Sequence, residues 1–219
     1  MLASRNGSCH AAPLRITLYD LALSERPLTL TGPGQRFVYV ERGRLTTGGA
    51  AYEADSGFFA PKRLTCTGEG RAWLYEVAPA ESPLAAESAL SLVISRRAAP
   101  PTDAPRLMRA DRIESPPGAA TPRHGHRGPG LRRLIKGRLM AEIGVDVERI
   151  DPGHAWFETG RDPVIGTNIA DGPSAFVRVM VLPPDLAGGK SSFVPTTLED
   201  AQKPRAVANR LFGEVMLEF

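Results

Sequence analysis

Alternation of apolar and polar residues runs through most of the chain and predicts many short β-strands. The clearest segments are 14–23 (LRITLYDLAL), 37–40 (FVYV) and 176–183 (FVRVMVLP), which are rich in β-branched and aromatic residues. Such residues at a period of two are typical of strands that bury one face. Turns are frequent, because the chain contains 22 glycines and 20 prolines. The pattern therefore predicts an all-β fold of barrel or sandwich type.

A proline-rich stretch separates two halves of the chain. Residues 96–105 (RRAAPPTDAP) contain consecutive prolines, which resist both helix and sheet. Residues 88–94 just before it are compatible with a short helix or with a strand. The last segment, 211–219 (LFGEVMLEF), predicts a strand that returns to a sheet, with the first domain as one candidate. The predicted organisation is a leader at 1–13, an N-terminal domain at 14–97, a linker at 98–110 and a C-terminal domain at 111–219.

The second half of the chain repeats the first. The clearest pair of segments is 32–45 (GPGQRFVYVERGRL) and 128–139 (GPGLRRLIKGRL). Alignment of the two GPG turns places Leu28 and Leu30 opposite His124 and His126. The first half therefore lacks a pair of metal ligands, and we expect its cavity to be apolar and its role to be structural.

Two of the four histidines, His124 and His126, form a His-x-His pair. Side chains alternate along a strand, so both imidazoles would lie on the same face. Neutral imidazole is a common ligand for transition metals, and the pair predicts half of a metal site. The alternative is two solvent-facing histidines in a polar strand, because two ligands alone make an incomplete site.

The residues around this pair resemble the sequence motifs of the cupins. The first cupin motif is Gly, five residues, His-x-His, three or four residues, Glu, six residues and Gly. This spacing is matched by Gly118, His124, His126 and Gly137. The ends of the second motif are matched by Gly153 and Asn168. The resemblance covers most of residues 14–183 and implies two tandem cupin (double-stranded β-helix, or jelly-roll) barrels, that is, a bicupin with a degenerate N-terminal half.

The resemblance also implies a divalent transition metal, which cupins hold with three histidines and one glutamate. This ligand set suits Fe, Mn, Ni, Cu or Zn. Two of the four ligands are missing here, because Gly130 stands at the position of the glutamate and Val164 at that of the third histidine. Thr159 and Arg161 replace the proline and glycine of the second motif.

Glu158 is the first candidate for a further ligand. It follows an apolar segment just before the turn of the second motif. If its side chain points inward, two histidines and one carboxylate would form the ligand set of non-haem Fe(II) oxygenases. The alternative is a carboxylate at the barrel rim that makes a salt bridge. His154 lies beside a turn and is predicted to be exposed, and His10 lies in the leader and is predicted to be uninvolved.

Arg132 and Trp156 are candidates for substrate binding. Strand alternation places residues 130, 132 and 134 on one face, so Arg132 would point into the barrel. A buried arginine needs an anion, either Glu158 or a substrate carboxylate held in bidentate fashion. A different strand register would leave Arg132 solvated at the mouth. Trp156 would supply apolar wall, either as plain core or as a surface on which a ligand stacks.

Composition narrows the classes of partner. The 219 residues carry a net charge of +3, and the arginines are scattered rather than gathered into a basic stripe, which argues against nucleic-acid binding. No stretch approaches the ~20 apolar residues that cross a bilayer, and the first residues do not resemble a signal peptide. We therefore expect a cytoplasmic protein, with Cys9 and Cys66 as free thiols.

Three functions remain open from the sequence. The first is a metal-dependent enzyme that acts on a small organic acid, since dioxygenases, isomerases and decarboxylases all occur among the bicupins that the chain resembles. The second is a non-catalytic small-molecule binder that has lost part of the metal-ligand set. The third is a structural or storage protein. The resemblance also implies a homodimer as one oligomeric state, because strand-exchanging dimers are frequent among cupins.

Overall fold

The computed structural model describes residues 12–219 and confirms the all-β class. Strands hold 59% of the residues, helices hold 4%, and the sheets are antiparallel. Of the predicted leader at 1–13, only the last two residues lie in the described part, and Cys9 and His10 lie outside it. Within residues 12–219, the helices are too short and too polar to cross a bilayer.

The first part of the chain builds one seven-stranded sheet. Its order is β4-β3-β6-β1-β7, with β2 added to β6 and β5 added to β3. These strands are β1 (Leu14–Ala22), β2 (Leu28–Thr31), β3 (Gln35–Thr47), β4 (Ala50–Glu53), β5 (Ser56–Ala60), β6 (Arg63–Pro79) and β7 (Leu90–Ala98).

The second part builds two five-stranded sheets, in the orders β13-β10-β15-β8-β17 and β12-β11-β14-β9-β16. Two short helices, Pro184–Leu186 (3-10) and α1 (Leu198–Gln202), lie between its last strands. The strands are β8 (Arg106–Ser115), β9 (His124–His126), β10 (Gly130–Lys136), β11 (Leu139–Ile143), β12 (Asp146–Ile150), β13 (Ala155–Glu158), β14 (Val164–Asn168), β15 (Ser174–Leu182), β16 (Phe193–Pro195) and β17 (Ala208–Leu217).

The structure defines three connections that the sequence predicted or left open. The segment 88–94 belongs largely to strand β7 rather than to a helix, and the strands leave only residues 99–105 between β7 and β8, fewer than the predicted linker at 98–110. The final strand β17 pairs with β8 of the second part, so the tail does not join the first sheet. Its Phe212 nevertheless packs against Phe37, with ring centroids 5.4 Å apart.

The two parts of the chain share one apolar core. The seven-stranded sheet packs against the sheet that contains β8, β10 and β15, and the buried cluster between them includes Trp73, Tyr75, Met108, Leu131 and Val179. This burial makes the β8-β10-β15 sheet a fixed wall, since its outer face is already covered.

Strand alternation then determines what the other face of this wall carries. On β10, Leu131 packs in the shared core, and Arg133 donates to Asp20 of β1 at 2.7 Å. Arg132 and Leu134 therefore point the opposite way, into the interior of the C-terminal part. Of the two orientations predicted for Arg132, the structure therefore has the one that points into the barrel.

The interior of the N-terminal part is filled. Its apolar cluster includes Leu30, Val38, Leu64 and Leu74, all of which are fully buried. The expected apolar cavity is thus a packed core. Two charged side chains, Arg36 and Glu76, are also buried on this side of the sheet, which the sequence analysis did not predict.

Candidate functional site

A cavity of about 300 Å³ lies inside the C-terminal part, between its two sheets. This volume is at the lower end of the ~300–1,000 Å³ typical of ligand sites. The apolar wall is formed mainly by Ile113, Leu139, Ala141, Trp156, Val164 and Phe176. Polar groups gather at one end, and they include His124, His126, Arg132, Glu158 and Arg178.

The two histidines face this cavity from strand β9. Their rings are both buried, and the ring centroids lie 4.8 Å apart at an interplanar angle of 86°. Nδ1 of His124 lies 2.7 Å from the carbonyl oxygen of Pro122, to which it donates. That bond fixes the tautomer and leaves Nε2 of His124 with its lone pair. Nδ1 of His126 lies 3.3 Å from Oγ of Ser192.

Both imidazoles are neutral near neutral pH. Burial lowers the pKa of His124, and the hydrogen bond to Pro122 only partly opposes that effect. Burial also lowers the pKa of His126 well below its ordinary value, and the nearby charges of Arg132 and Arg178 lower it further. Neutral imidazole is the form that binds a metal ion, so the site keeps the pair ready for coordination.

Glu158 lies beside the histidines and is held by two neighbours. Nε1 of Trp156 donates to Oε1 at 2.9 Å, and Nη2 of Arg132 lies 2.6 Å from Oε2. That N–H does not point along the line to Oε2, so the contact is an ion pair and Oε2 lacks a well-directed hydrogen bond within residues 12–219. The same Oε2 lies 3.5 Å from Nε2 of His126.

Arg132 is almost fully buried. It donates through Nη1 to the carbonyl oxygen of Gly130 at 2.7 Å, in addition to its contact with Glu158. Burial lowers the pKa of Arg132 to about 10, while Glu158 opposes that shift. The guanidinium therefore stays charged near neutral pH, and its anion within the protein is Glu158.

A second buried ion pair lies next to the first and was missed by the sequence analysis. Arg178 of β15 makes two hydrogen bonds to Asp111 of β8, at 2.9 and 2.7 Å. These residues face each other directly across the two strands. The only local signal is that Arg178 interrupts the otherwise apolar segment 176–183.

The C-terminal tail covers the cavity, which the sequence analysis also missed. Arg205, Val207 and Asn209 belong to the lining. The guanidinium of Arg205 lies 4.2 Å from the ring centroid of Phe193. The ring of Phe193 in turn stacks on His124, with centroids 4.3 Å apart and an interplanar angle of 17°.

The position of the missing glutamate could not hold one. A Cβ at Gly130 would lie 2.6 Å from the carbonyl oxygen of Val179, so any larger residue would have to move the backbone. Glu158 is the direct cross-strand neighbour of Gly130, which places its side chain on the same face of the sheet. Val164, at the position of the third histidine, supplies only apolar wall.

The side chains at this end of the cavity match the geometry of a metal site only in part. Ligand atoms at ~2.0–2.1 Å from a tetrahedral ion lie about 3.4 Å apart. The 3.5 Å between Nε2 of His126 and Oε2 of Glu158 is close to that separation. Within the described residues, however, no group of three or more His, Cys, Asp or Glu side chains is already arranged to hold a metal. Coordination would need Glu158 to share its Oε2 with Arg132.

The other histidine and cysteine in the described part lie elsewhere. His154 is half-exposed, and its Nε2 lies 3.1 Å from Oε1 of Glu148, away from the cavity. Cys66 is a buried free thiol in the N-terminal core.

No family model matches the chain, and no curated protein matches its sequence. Solved structures do match its fold. Salicylate 1,2-dioxygenase from Pseudaminobacter salicylatoxidans is 9% identical with a TM-score of 0.53, and the match covers 96% of this chain and 79% of that one. A deletion mutant of Bacillus subtilis oxalate decarboxylase is 12% identical with a TM-score of 0.55, covering 88% and 73%. AerE from Microcystis aeruginosa is 13% identical with a TM-score of 0.53, covering 77% and 88%.

The salicylate dioxygenase and the oxalate decarboxylase are cupin-type proteins. The match therefore shows that this chain has an all-β fold of cupin type, as the sequence motifs had implied. At this level of identity the likeness concerns the fold, and function has to be argued from the site.

Proposed function

We propose that this chain is a bicupin whose C-terminal barrel binds a small carboxylate-bearing molecule at a divalent transition-metal centre, and whose N-terminal barrel is degenerate. One observation carries the proposal. Two buried imidazoles and an incompletely bonded carboxylate oxygen converge in a cavity whose exposed lining is mostly apolar.

Three side chains would hold the metal. Nε2 of His124 is free because Nδ1 is bonded to Pro122, and Nε2 of His126 faces Oε2 of Glu158. Glu158 thereby replaces, from the neighbouring strand, the glutamate that the cupin motif places at position 130. A metal bound here would supply a Lewis acid that polarises a carbonyl or carboxylate group.

Arg132 and Trp156 act on Glu158 in this proposal. Each of them contacts one oxygen of the carboxylate, and their contacts hold its plane and its charge in place. Of the two anions that the sequence allows for Arg132, Glu158 or a substrate carboxylate, Glu158 already matches its charge. Trp156 also forms part of the apolar wall, with its ring 5.2 Å from that of Phe176.

A second function is favoured by a specific observation. Because Arg132 already neutralises Glu158 and no set of three ligands is preformed within residues 12–219, the barrel would also serve as a metal-free binder. Both functions use the same cavity. With a metal bound, the protein would be an enzyme of the dioxygenase, isomerase or decarboxylase types that occur on this fold. The binder would need no metal.

Metal content separates the two functions. We expect the protein, expressed with Fe, Mn, Ni, Cu and Zn supplied, to contain about one equivalent of a single metal by inductively coupled plasma mass spectrometry. The variant His124→Ala/His126→Ala should contain almost none, and Glu158→Ala should contain less than wild type because the third ligand is gone.

His154→Ala is the matched control, because this histidine lies outside the cavity, and it should retain the wild-type metal content. Circular dichroism should show that the cavity variants remain folded. A wild-type protein that contains no metal under these conditions would contradict the metal centre and favour the metal-free binder.

A further inference from the structure

The cavity is lined by four arginines, and three of them are already matched by carboxylates. Arg132 contacts Glu158, Arg178 contacts Asp111, and Nε of Arg109 donates to Oε1 of Glu214 at 2.7 Å. Burying a charge without a partner is costly, so these three pairs are part of the structure rather than vacant binding groups. The fourth is Arg205.

Arg205 differs from the other three in its partners. Among residues 12–219 it contacts no carboxylate, and one of its five N–H donors is used, by Nη1 on Oγ of Ser191 at 2.9 Å. It is exposed at the mouth of the cavity, so its charge is accessible to a ligand that enters from solvent.

The position of Arg205 is nevertheless well defined. Its guanidinium stacks on Phe193 at 4.2 Å, and Phe193 stacks on His124. The next residue, Ala206, has a positive φ of 50°, which is unfavourable for an L-residue other than glycine. Such a conformation persists only where the surrounding structure imposes it. The side chain is thus pre-organised beside the histidine pair, which lowers the entropic cost of binding an anion.

We infer that Arg205 is the anchor for the carboxylate of the ligand, and that the ligand is a small carboxylate with an apolar body. The anion would bind the remaining N–H donors of Arg205 at the mouth, in the fork geometry that guanidinium and carboxylate share. The apolar body of the ligand would pack against the cavity wall formed by residues such as Ile113, Val164 and Phe176. This inference rests on the proposed small-molecule function and assigns the anion to Arg205 instead of Arg132.

Benzoate and its neutral isostere benzamide are suitable probes, because they share an apolar ring and differ in charge. Binding is measured by isothermal titration calorimetry on metal-free and on metal-loaded protein. We expect Arg205→Gln to weaken benzoate binding by about 10- to 100-fold, the range for loss of a charge-assisted hydrogen bond. Arg205→Lys should retain part of the affinity. Benzamide should bind more weakly than benzoate and equally well to wild type and Arg205→Gln.

Arg210→Gln is the matched control. Arg210 lies in the same tail and stacks on Phe212, with its guanidinium 4.9 Å from the ring centroid, but it does not line the cavity. The variant Arg210→Gln should bind benzoate as tightly as wild type does. Equal benzoate affinity in wild type and Arg205→Gln would overturn the inference, and so would an equal loss for benzamide or the absence of benzoate binding to wild type.

Failure of this inference is distinguishable from failure of the proposed metal centre. Benzoate binding that depends on Arg205 in metal-free protein would support the anchor even if the chain never takes up metal. Stoichiometric metal together with benzoate binding that ignores Arg205 would leave the metal centre standing and remove the anchor.

Discussion

The N- and C-terminal parts place the same residue types at corresponding positions and use them differently. Arg36 and Arg132 each lie two residues after a GPG turn, and both are buried on the inner face of a sheet. On the neighbouring strand, the residue directly opposite Arg36 is Glu76, whereas the residue directly opposite Arg132 is Arg178. The interior around Arg36 is packed, while the interior around Arg132 contains the cavity.

The corresponding strands β2 and β9 show what makes the difference. Leu30 of β2 is fully buried in the apolar cluster, and the GPG alignment places it opposite His126 of β9, which lines the cavity. Apolar side chains at these positions fill an interior, and imidazoles leave it open with lone pairs that face inward. The same fold thus yields a core in one part and a candidate site in the other.

The buried charges are also treated differently. In the C-terminal part each buried arginine of the cavity contacts a carboxylate. In the N-terminal part Arg36 donates to the carbonyl oxygens of Leu30, Pro61 and Lys62, and both carboxylate oxygens of Glu76 lack a hydrogen-bond partner within residues 12–219. Removal of one partner from a C-terminal pair should therefore lower the free energy of unfolding. The N-terminal carboxylate of Glu76, in contrast, should destabilise the fold when it is ionised.

The largest expected effect comes from breaking a C-terminal pair. Asp111→Ala leaves the guanidinium of Arg178 buried without its carboxylate, and we expect the free energy of unfolding to fall by ~3–5 kcal/mol. Urea denaturation followed by circular dichroism measures this. Asp185→Ala removes the exposed partner of Arg127 and is the matched control, with an expected loss within ~1 kcal/mol. Equal losses for the two variants would contradict the contrast.

The next effect tests the filled and open interiors directly. Leu30→Ala should lower the free energy of unfolding by ~2–5 kcal/mol, because it leaves a void in a closed core. His126→Ala, at the aligned position, should cost only about 1 kcal/mol, since His126 already borders the cavity. A cost for His126→Ala as large as that for Leu30→Ala would mean that the C-terminal interior is also a structural core.

The sequence predicted what depends on local pattern. Alternation predicted the strands and put residue 132 on the same face as 130 and 134, because a period of two is read directly from neighbouring residues. The inward register of Arg132 was one of two alternatives, and the structure has it. The spacing of Gly118, His124, His126 and Gly137 pointed to the cupin-type fold that the structural comparison shows. The same alternation predicted that the two imidazoles share a face, whereas the inward direction of that face is given by the structure.

The remaining features depend on contacts between distant segments. The pair of Asp111 and Arg178 joins residues 67 positions apart, and only the register of β8 against β15 brings them together. Arg205 reaches the cavity because the tail folds over it, which no periodicity predicts. The charged pair of residues in the N-terminal core was missed for the same reason, since Glu76 is apparent as a buried group only once β6 is placed beside β3.

The smallest expected effect concerns Glu76 and depends on pH. Burial raises the pKa of Glu76, and the charge of Arg36 only partly opposes that shift. A carboxyl group with a raised pKa favours the folded state while it is protonated, and that contribution is lost as the pH rises through the folded-state value.

Glu76→Gln keeps the shape of the side chain without its charge. We therefore expect its free energy of unfolding to exceed that of wild type at pH 8, and the difference to shrink as the pH falls through the raised folded-state pKa toward the ordinary carboxyl value of ~4.3. Glu69→Gln, at an exposed position of the same strand, should stay close to wild type at both ends of the range. Urea denaturation at several pH values measures both variants. If Glu76→Gln were instead less stable than wild type at pH 8, Glu76 would be a favourable ion-pair partner of Arg36, and the two parts of the chain would treat their buried charges alike.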